Sequence, residues 1–274
     1  MSVSSPKPGD LLHSAFYRFA PVQDVPALIE ALREATTELL GSILVAPEGI
    51  NGMVAGSPVA VRTFEDWLRG QAGFEQIIFK QSECKTVPFG RMKVRRKAEI
   101  VPLGIGGVDV TAGMGVDVPP HEWRELIDQD DVVLLDNRNS FEYRLGRFRN
   151  AIDPEVENFR DFPEYVLAHL AEWKAAGKRV AMYCTGGIRC EKTSAWMRQF
   201  DIEVLQLQGG ILNYFLQMPD AEKDWEGECF VFDNRIALDT RMQETQTTLE
   251  EVYEAEPDAE WRLRRARQLD GSGS

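Results

Sequence analysis

The sequence predicts two consecutive α/β units. In the first, strand and helix patterns follow one another in βαββαβ order. In the second, short apolar runs alternate with amphipathic segments, as in a parallel sheet covered on both faces. Clustered Gly104, Gly106, Gly107, Gly113 and Gly115, followed by Pro119 and Pro120, mark the boundary between them. The expected division is 15–103 for the first unit, 104–118 for a linker, 119–225 for the second unit and 226–274 for a partly flexible C-terminal extension.

In chain order, Ala15 to Val22 reads as a strand. Asp24 can cap a helix that carries Leu28, Leu32, Ala35 and Leu39 on one side. The β-branched run from Ser42 to Ala46 leads into the turn-rich Pro47-Glu-Gly-Ile-Asn-Gly52 and then Met53-Val-Ala, a hairpin pattern. Ser57-Pro58 opens a second helix through Phe64, Trp67 and Leu68, and Gln76 to Lys80 is a further strand. This order matches the ferredoxin-like split unit. In the second unit, helices are expected over Pro119–Ile127, at Ser140–Glu142, over Phe162–Trp173 and over Glu191–Phe200. Strands are expected over Val132–Asp136, Lys178–Tyr183 and Val204–Leu207. The stretch from Asp220 to Glu260 holds 14 acids against 3 bases, and Gly271-Ser-Gly-Ser reads as a flexible end.

Composition bounds the function. The chain has 274 residues, 43% of them hydrophobic, and a formal charge of −13. These values exclude a disordered or fibrous chain. No apolar run approaches the ~18 residues of a membrane helix, and the first residues lack the apolar core of a secretion signal. A soluble cytoplasmic protein is expected. Cys84, Cys184, Cys190 and Cys229 form no CxxC pair, so neither a disulfide framework nor a structural zinc site is expected. No flavin, nicotinamide or metal motif is visible.

The chemistry concentrates in Tyr183-Cys184-Thr185-Gly186-Gly187-Ile188-Arg189-Cys190-Glu191-Lys192. A strand delivers Cys184 to the carboxyl edge of a parallel sheet, where such sheets place their ligands. Gly186 and Gly187 let the backbone curl around the sulfur. The helix that follows turns its unpaired N–H groups and its dipole toward the loop. With Arg189 close in sequence, the thiol pKa falls and the thiolate is favoured. Cys184 is therefore the expected nucleophile, with Thr185, Gly186, Gly187, Ile188 and Arg189 forming its anion-holding loop. A cysteine phosphatase would place its arginine at position 190. Here Arg189 follows Cys184 after four intervening residues, so the loop suits sulfur or a small anion better than phosphate. Two readings of Cys190 stand: a resolving thiol for Cys184, or a small residue at a helix start. Asp136 and Arg138 either brace the loop or form a strand-end salt bridge. Glu142 is expected to cap its helix, and Gly209-Gly210 to serve turn geometry alone.

These motifs resemble a known family. Residues 119–225 resemble a rhodanese domain, with Asp136-x-Arg138, the Cys184–Arg189 loop and Leu207-Gln-Gly-Gly210. More narrowly, Pro47-Glu-Gly-Ile-Asn-Gly52, Pro88-Phe-Gly-Arg-Met-Lys-Val, Cys184-Thr-Gly-Gly-Ile-Arg-Cys190-Glu-Lys and Val231-Phe-Asp-Asn-Arg-Ile-Ala resemble the oxygen-dependent tRNA uridine hydroxylases that act on the wobble position. The likeness covers about residues 15–240. It implies conversion of wobble uridine to 5-hydroxyuridine with molecular oxygen as co-substrate, an active residue at Cys184 that is also a persulfide carrier, and tRNA, through its anticodon arm, as partner. Many relatives end in a Cys-rich, zinc-like tail, which this chain lacks.

One stretch opposes the acidic charge. From Lys85 to Ala98 there are six bases, Lys85, Arg91, Lys93, Arg95, Arg96 and Lys97, and no acid. Alternation puts Arg91, Lys93 and Arg95 on one face of an extended strand. Such a strip either binds an RNA backbone, with Phe89 as a stacking surface, or protects a solvated edge strand from aggregation. Three functional readings result. The first is a tRNA wobble-uridine hydroxylase. The second is a rhodanese-type sulfurtransferase carrying a cysteine persulfide, and the third a non-catalytic RNA-binding module.

Overall fold

The computed structural model describes residues 11–113 and 115–270. The expected leaderless start before Leu11 and the flexible end Gly271–Ser274 lie outside the described residues. The chain forms two compact units. One contains residues up to Ile100, Phe232–Ile236 and the segment from Pro257 onward; the other contains Val101–Val231 and Ala237–Glu256.

The first unit opens with β1 (Leu11–Phe19), α1 (Val25–Ala35), β2 (Leu40–Ala46), β3 (Gly49–Gly56), α2 (Pro58–Arg69), β4 (Ile78–Cys84) and β5 (Met92–Arg96). Its sheet runs β4-β1-β3-β2-β5, antiparallel except for the β2–β5 pair. The first four strands thus have the split βαββαβ arrangement expected, with β5 added as an edge strand. Element limits differ where the local signal is weak. β1 stops at Phe19, because the chain turns through Pro21 to Asp24, whose side chain accepts a hydrogen bond from Ala27 N–H (2.9 Å). Leu39 is not helical: Thr36 Oγ1 donates to Leu32 O (2.7 Å) as α1 ends, and Leu39 is buried just before β2. β4 runs to Cys84 rather than Lys80. It is an edge strand, so its polar second half carries no apolar run. Phe16, Ile29, Leu32, Ile43, Val54, Phe64 and Leu68 form the core against the helices.

Part of the expected extension belongs to this unit. Asp233 and Arg235 form a buried pair (2.7 Å), and Arg235 Nη1 donates to Ser82 Oγ (2.8 Å). Asn234 N–H donates to Pro88 O (3.0 Å), tying the segment to the turn before β5. Asp233 also faces buried His13 on β1 (3.5 Å).

The second unit contains β6 (Val116–Val118), α3 (Pro120–Leu126), β7 (Val132–Asp136), α4 (Ser140–Leu145), β8 (Gly146–Phe148), α5 (Phe162–Ala175), β9 (Arg179–Tyr183), α6 (Ile188–Met197), β10 (Val204–Leu207) and α7 (Gly210–Gln217). β6, β10, β9 and β7 form a parallel sheet in that order. β6 lies inside the stretch expected as a linker. It is only three residues long, and its Asp117 breaks the apolar pattern, so no run announced it. Phe148 sits at the centre of the core, edge-on to Tyr183, Tyr214 and Trp225 at 4.8, 4.9 and 5.1 Å.

The chain then adds β11 (Trp225–Gly227) beside β8 and a β12 (Cys229–Phe230)–β13 (Ala237–Leu238) pair. It ends in α8 (Leu249–Tyr253) and, in the first unit, α9 (Ala259–Asp270). The acidic tail is thus packed through α8. Tyr253 is buried with its ring 5.0 Å from Phe141, and Glu256 pairs with Arg144.

Candidate active site

β7 and β9 bring Asp136 and Tyr183 side by side at the carboxyl edge of the parallel sheet. Arg138 grips Asp136 through two bonds, Nε to Oδ1 (2.8 Å) and Nη2 to Oδ2 (2.6 Å), and Nη2 also donates to Gly146 O (2.6 Å). Tyr183 donates its hydroxyl to Asp136 Oδ2 (2.7 Å). The pair is wholly buried and holds the residue immediately before Cys184. It reaches the loop through Tyr183 and does not touch the Cys184 sulfur.

After Cys184 the chain turns at Gly187, at φ +101°, which caps α6. Only this glycine of the Gly186-Gly187 pair takes a left-handed conformation. Gly187 N–H points at Cys184 Sγ (3.1 Å). The Cys190 N–H and the Cys190 thiol also hydrogen-bond that sulfur. Burial pushes the Cys184 thiol up, but these three donors and the Arg189 charge outweigh it and hold the pKa well below the ordinary thiol range. Burial and the bond to the Cys184 sulfur push Cys190 the other way, well above that range. The donors and the Arg189 charge therefore favour the anion on Cys184 over one on Cys190.

Arg189 does not aim freely at the sulfur. Both its terminal nitrogens bind Glu142, at 2.8 Å each, and Thr185 Oγ1 lies 3.4 Å from Glu142 Oε1. Glu142 does cap α4, accepting from Asn139 N–H (3.2 Å), but the same carboxylate also positions the loop arginine. The capping pattern accounted fully for Glu142, so nothing local signalled this second role. Gly210 was likewise assigned to turn geometry alone. In fact α7 starts against the loop. Ile211 N–H donates to Cys184 O (3.0 Å) and Leu212 N–H to Thr185 O (3.2 Å). A Cβ on Gly210 would fall 2.5 Å from Cys184 O and 2.8 Å from both Gly187 N and Thr185 O.

One expectation fails. The Cys184 sulfur is expected in a bowl of main-chain donors, within reach of a docked anticodon. The donors are there, but Cys184 is only 1% exposed. Thr185, Gly186 and Ile188 are half-buried around it, so contact with a substrate requires the loop to yield.

In the first unit, Arg91, Lys93 and Arg95 line one groove of about 690 Å³, together with Arg33, Thr36 and Thr37 from the end of α1. Arg91 and Arg95 are exposed; Lys93 is 9% exposed. Lys85, Arg96 and Lys97 are exposed but do not line the groove. The α1 residues were missed because only tertiary packing sets them beside β5. Phe89 is not a stacking surface for a base: it is buried and stacked on His13, ring centroids 6.0 Å apart. Among the described residues, no group of three or more His, Cys, Asp or Glu side chains is arranged to hold a metal ion. Nor is any helix long and apolar enough to cross a membrane.

Comparison with known proteins matches both units. Residues 12–100 fit the UPF0176 acylphosphatase like domain, and residues 119–216 fit the Rhodanese-like domain. A Legionella pneumophila (strain Corby) protein named tRNA uridine(34) hydroxylase is 42% identical over 250 residues, covering 90% of this chain and 98% of that one. A Teredinibacter turnerae protein of the same name is 43% identical over 238 residues, 86% of this chain and 74% of that one. With identity of this level over most of both chains, the chain belongs to the tRNA uridine(34) hydroxylase family.

Proposed function

We propose that this protein hydroxylates uridine 34 of tRNA at C5, giving 5-hydroxyuridine, with molecular oxygen as co-substrate. The observation that carries the reading is 42% identity over nearly the full length of a relative bearing that name. The site chemistry supports it. A thiolate held by main-chain N–H groups is a reactive two-electron centre at neutral pH. The groove lined by Arg33, Arg91, Lys93 and Arg95 supplies phosphate contacts for an anticodon arm, in a chain whose net charge otherwise repels RNA. A reducing cytoplasm suits four free cysteines.

The test is nucleoside mass spectrometry of tRNA from cells lacking the gene, complemented with wild type, Cys184→Ser or an Arg91/Lys93/Arg95 triple alanine variant. Wild type restores 5-hydroxyuridine and its derivatives. Cys184→Ser does not, and the triple variant restores less. Restoration by Cys184→Ser to the wild-type level refutes the assignment of the reactive residue.

The loop itself favours a second reading, a sulfurtransferase that carries a persulfide on Cys184. The same amides that hold a thiolate hold a terminal persulfide anion. Fast thiosulfate:cyanide transfer that needs Cys184 and is indifferent to tRNA would establish it in place of the first.

A further inference from the structure

Cys190 contacts the reactive sulfur directly. It is the third residue of α6, and its thiol donates a hydrogen bond to Cys184 Sγ. Its own sulfur lies 4.0 Å from Asn137 Nδ2, which is fixed in turn on Thr193 Oγ1 at 3.0 Å. Both cysteines are 1% exposed, so substrate and reductant reach them only when the loop yields. The left-handed turn at Gly187 brings the first turn of the helix back over the strand end. The two sulfurs are therefore hydrogen-bond partners across a loop of five residues. Nothing in phosphate or sulfur-anion binding calls for a second thiol in this place.

We propose that Cys184 and Cys190 form the two-electron dithiol of the hydroxylation, closing to a disulfide once per turnover. The inference rests on the hydroxylase reading above. Hydroxylation at C5 uses one atom of dioxygen, and the other must accept two electrons and two protons to leave as water. The balance is uridine C5–H plus O2 plus two thiols, giving C5–OH, water and one disulfide. In the steps that concern this loop, the Cys184 thiolate attacks the outer oxygen of the C5 hydroperoxide formed from the base and O2. The O–O bond breaks, an S–O bond forms, and the inner oxygen takes a proton and stays on C5 as hydroxyl. The Cys190 thiol then attacks the sulfenic sulfur. The S–O bond breaks, the S–S bond forms, and the thiol proton leaves with hydroxide as water. Sulfur is oxidised and oxygen reduced. A cellular thiol reductant reopens the disulfide by exchange. The neutral, proton-bearing state of Cys190 is the one this sequence needs, since that thiol must deliver a proton as well as electrons.

The experiment uses the full-length protein, reduced and then desalted free of thiol without oxygen. Unmodified tRNA is added, oxygen is admitted, and the reaction is quenched in denaturant with an alkylating agent. The expected result is at most one hydroxyuridine per protein molecule, with a fall from four alkylated cysteines to two. Peptide mapping finds the link between residues 184 and 190. Adding dithiothreitol starts multiple turnover. Cys190→Ser, deprived of an intramolecular thiol at high effective concentration, makes less product in the thiol-free reaction by at least about tenfold. It recovers in part when bulk thiol is supplied. Product formed by wild type while all four thiols stay free overturns this inference and leaves the hydroxylase reading standing. So does a Cys190→Ser yield equal to wild type without thiol. Wild type that makes no hydroxyuridine even with bulk thiol overturns the hydroxylase reading and the inference with it. The thiol count on wild type stands whether or not the variant folds.

Discussion

Gly210→Ala tests whether the start of α7 shapes the cysteine loop. Gly210 has φ +74°, and an added Cβ would lie 2.5 Å from Cys184 O and 2.8 Å from both Gly187 N and Thr185 O. All three are backbone atoms of the loop, so no rotamer change relieves the overlap. Placing a residue with a Cβ in left-handed backbone costs about 1–2 kcal/mol. Forcing packed backbone apart adds about 1–3 kcal/mol. The expected loss is therefore about 2–5 kcal/mol from the rhodanese unit. Gly177→Ala is the reference. Its φ of +62° carries the same conformational cost, but an added Cβ there meets nothing within 4 Å. That variant should lose only about 1–2 kcal/mol. Hydrogen exchange of the β9 and α6 amides reads the stability of this unit separately from the first. The pH profile of Cys184 alkylation reads the cradle: in Gly210→Ala it moves up toward that of an ordinary thiol, and in Gly177→Ala it stays. If the two variants agree within about 0.5 kcal/mol and share the wild-type profile, the close approach of Gly210 does not hold the loop.

Five further outcomes follow from the same contacts. Arg189→Gln removes a charge that lowers the Cys184 pKa, so alkylation rises with pH in the variant where wild type is already flat; identical profiles would assign the anion to the Cys190 thiol and the amides. In wild type that alkylation is slow because the sulfur is 1% exposed, and adding tRNA speeds it if substrate opens the loop. The Arg91/Lys93/Arg95 triple alanine variant binds tRNA with a salt slope shallower by about 2, from ~0.7 per single-strand phosphate contact, and an unchanged slope removes the groove from the RNA interface. Burial first, and then the Arg235 charge, lower the His13 pKa from 6.5 to about 3. The unfolded chain therefore takes up a proton at His13 below 6.5 that the folded chain refuses until about 3. Stability falls across that window as pH drops, by up to about 1.4 kcal/mol per pH unit, and His13→Gln flattens the fall in acid unfolding curves. Tyr253→Ala, which empties the site against Phe141, costs about 3–5 kcal/mol; a loss near zero in urea unfolding would show that α8 is not part of the rhodanese core.

The sequence by itself determined whatever is written over short distances. β7 is a run of apolar residues and ends where that run ends, at Asp136. The glycines after Cys184 and the helix after them are adjacent in the chain, so the anion-holding turn was legible from a few residues. Arg91, Lys93 and Arg95 do line one groove, but Gly90, Met92 and Val94 line it too, so alternation alone does not account for the placement. Only the tertiary structure decided what these pieces touch. Glu142 meets Arg189 across 47 positions, and Gly210 closes on Cys184 from the next strand over. Asp233 and Arg235 leave the C-terminal stretch to pack under β1, and α1 completes the groove beside β5. Burial of the sulfur belongs to this second class as well. Periodicity and spacing report how a residue lies relative to its own helix or strand. Solvent access, ion pairing and close backbone approach depend on which distant segment arrives, and packing of the whole core sets that.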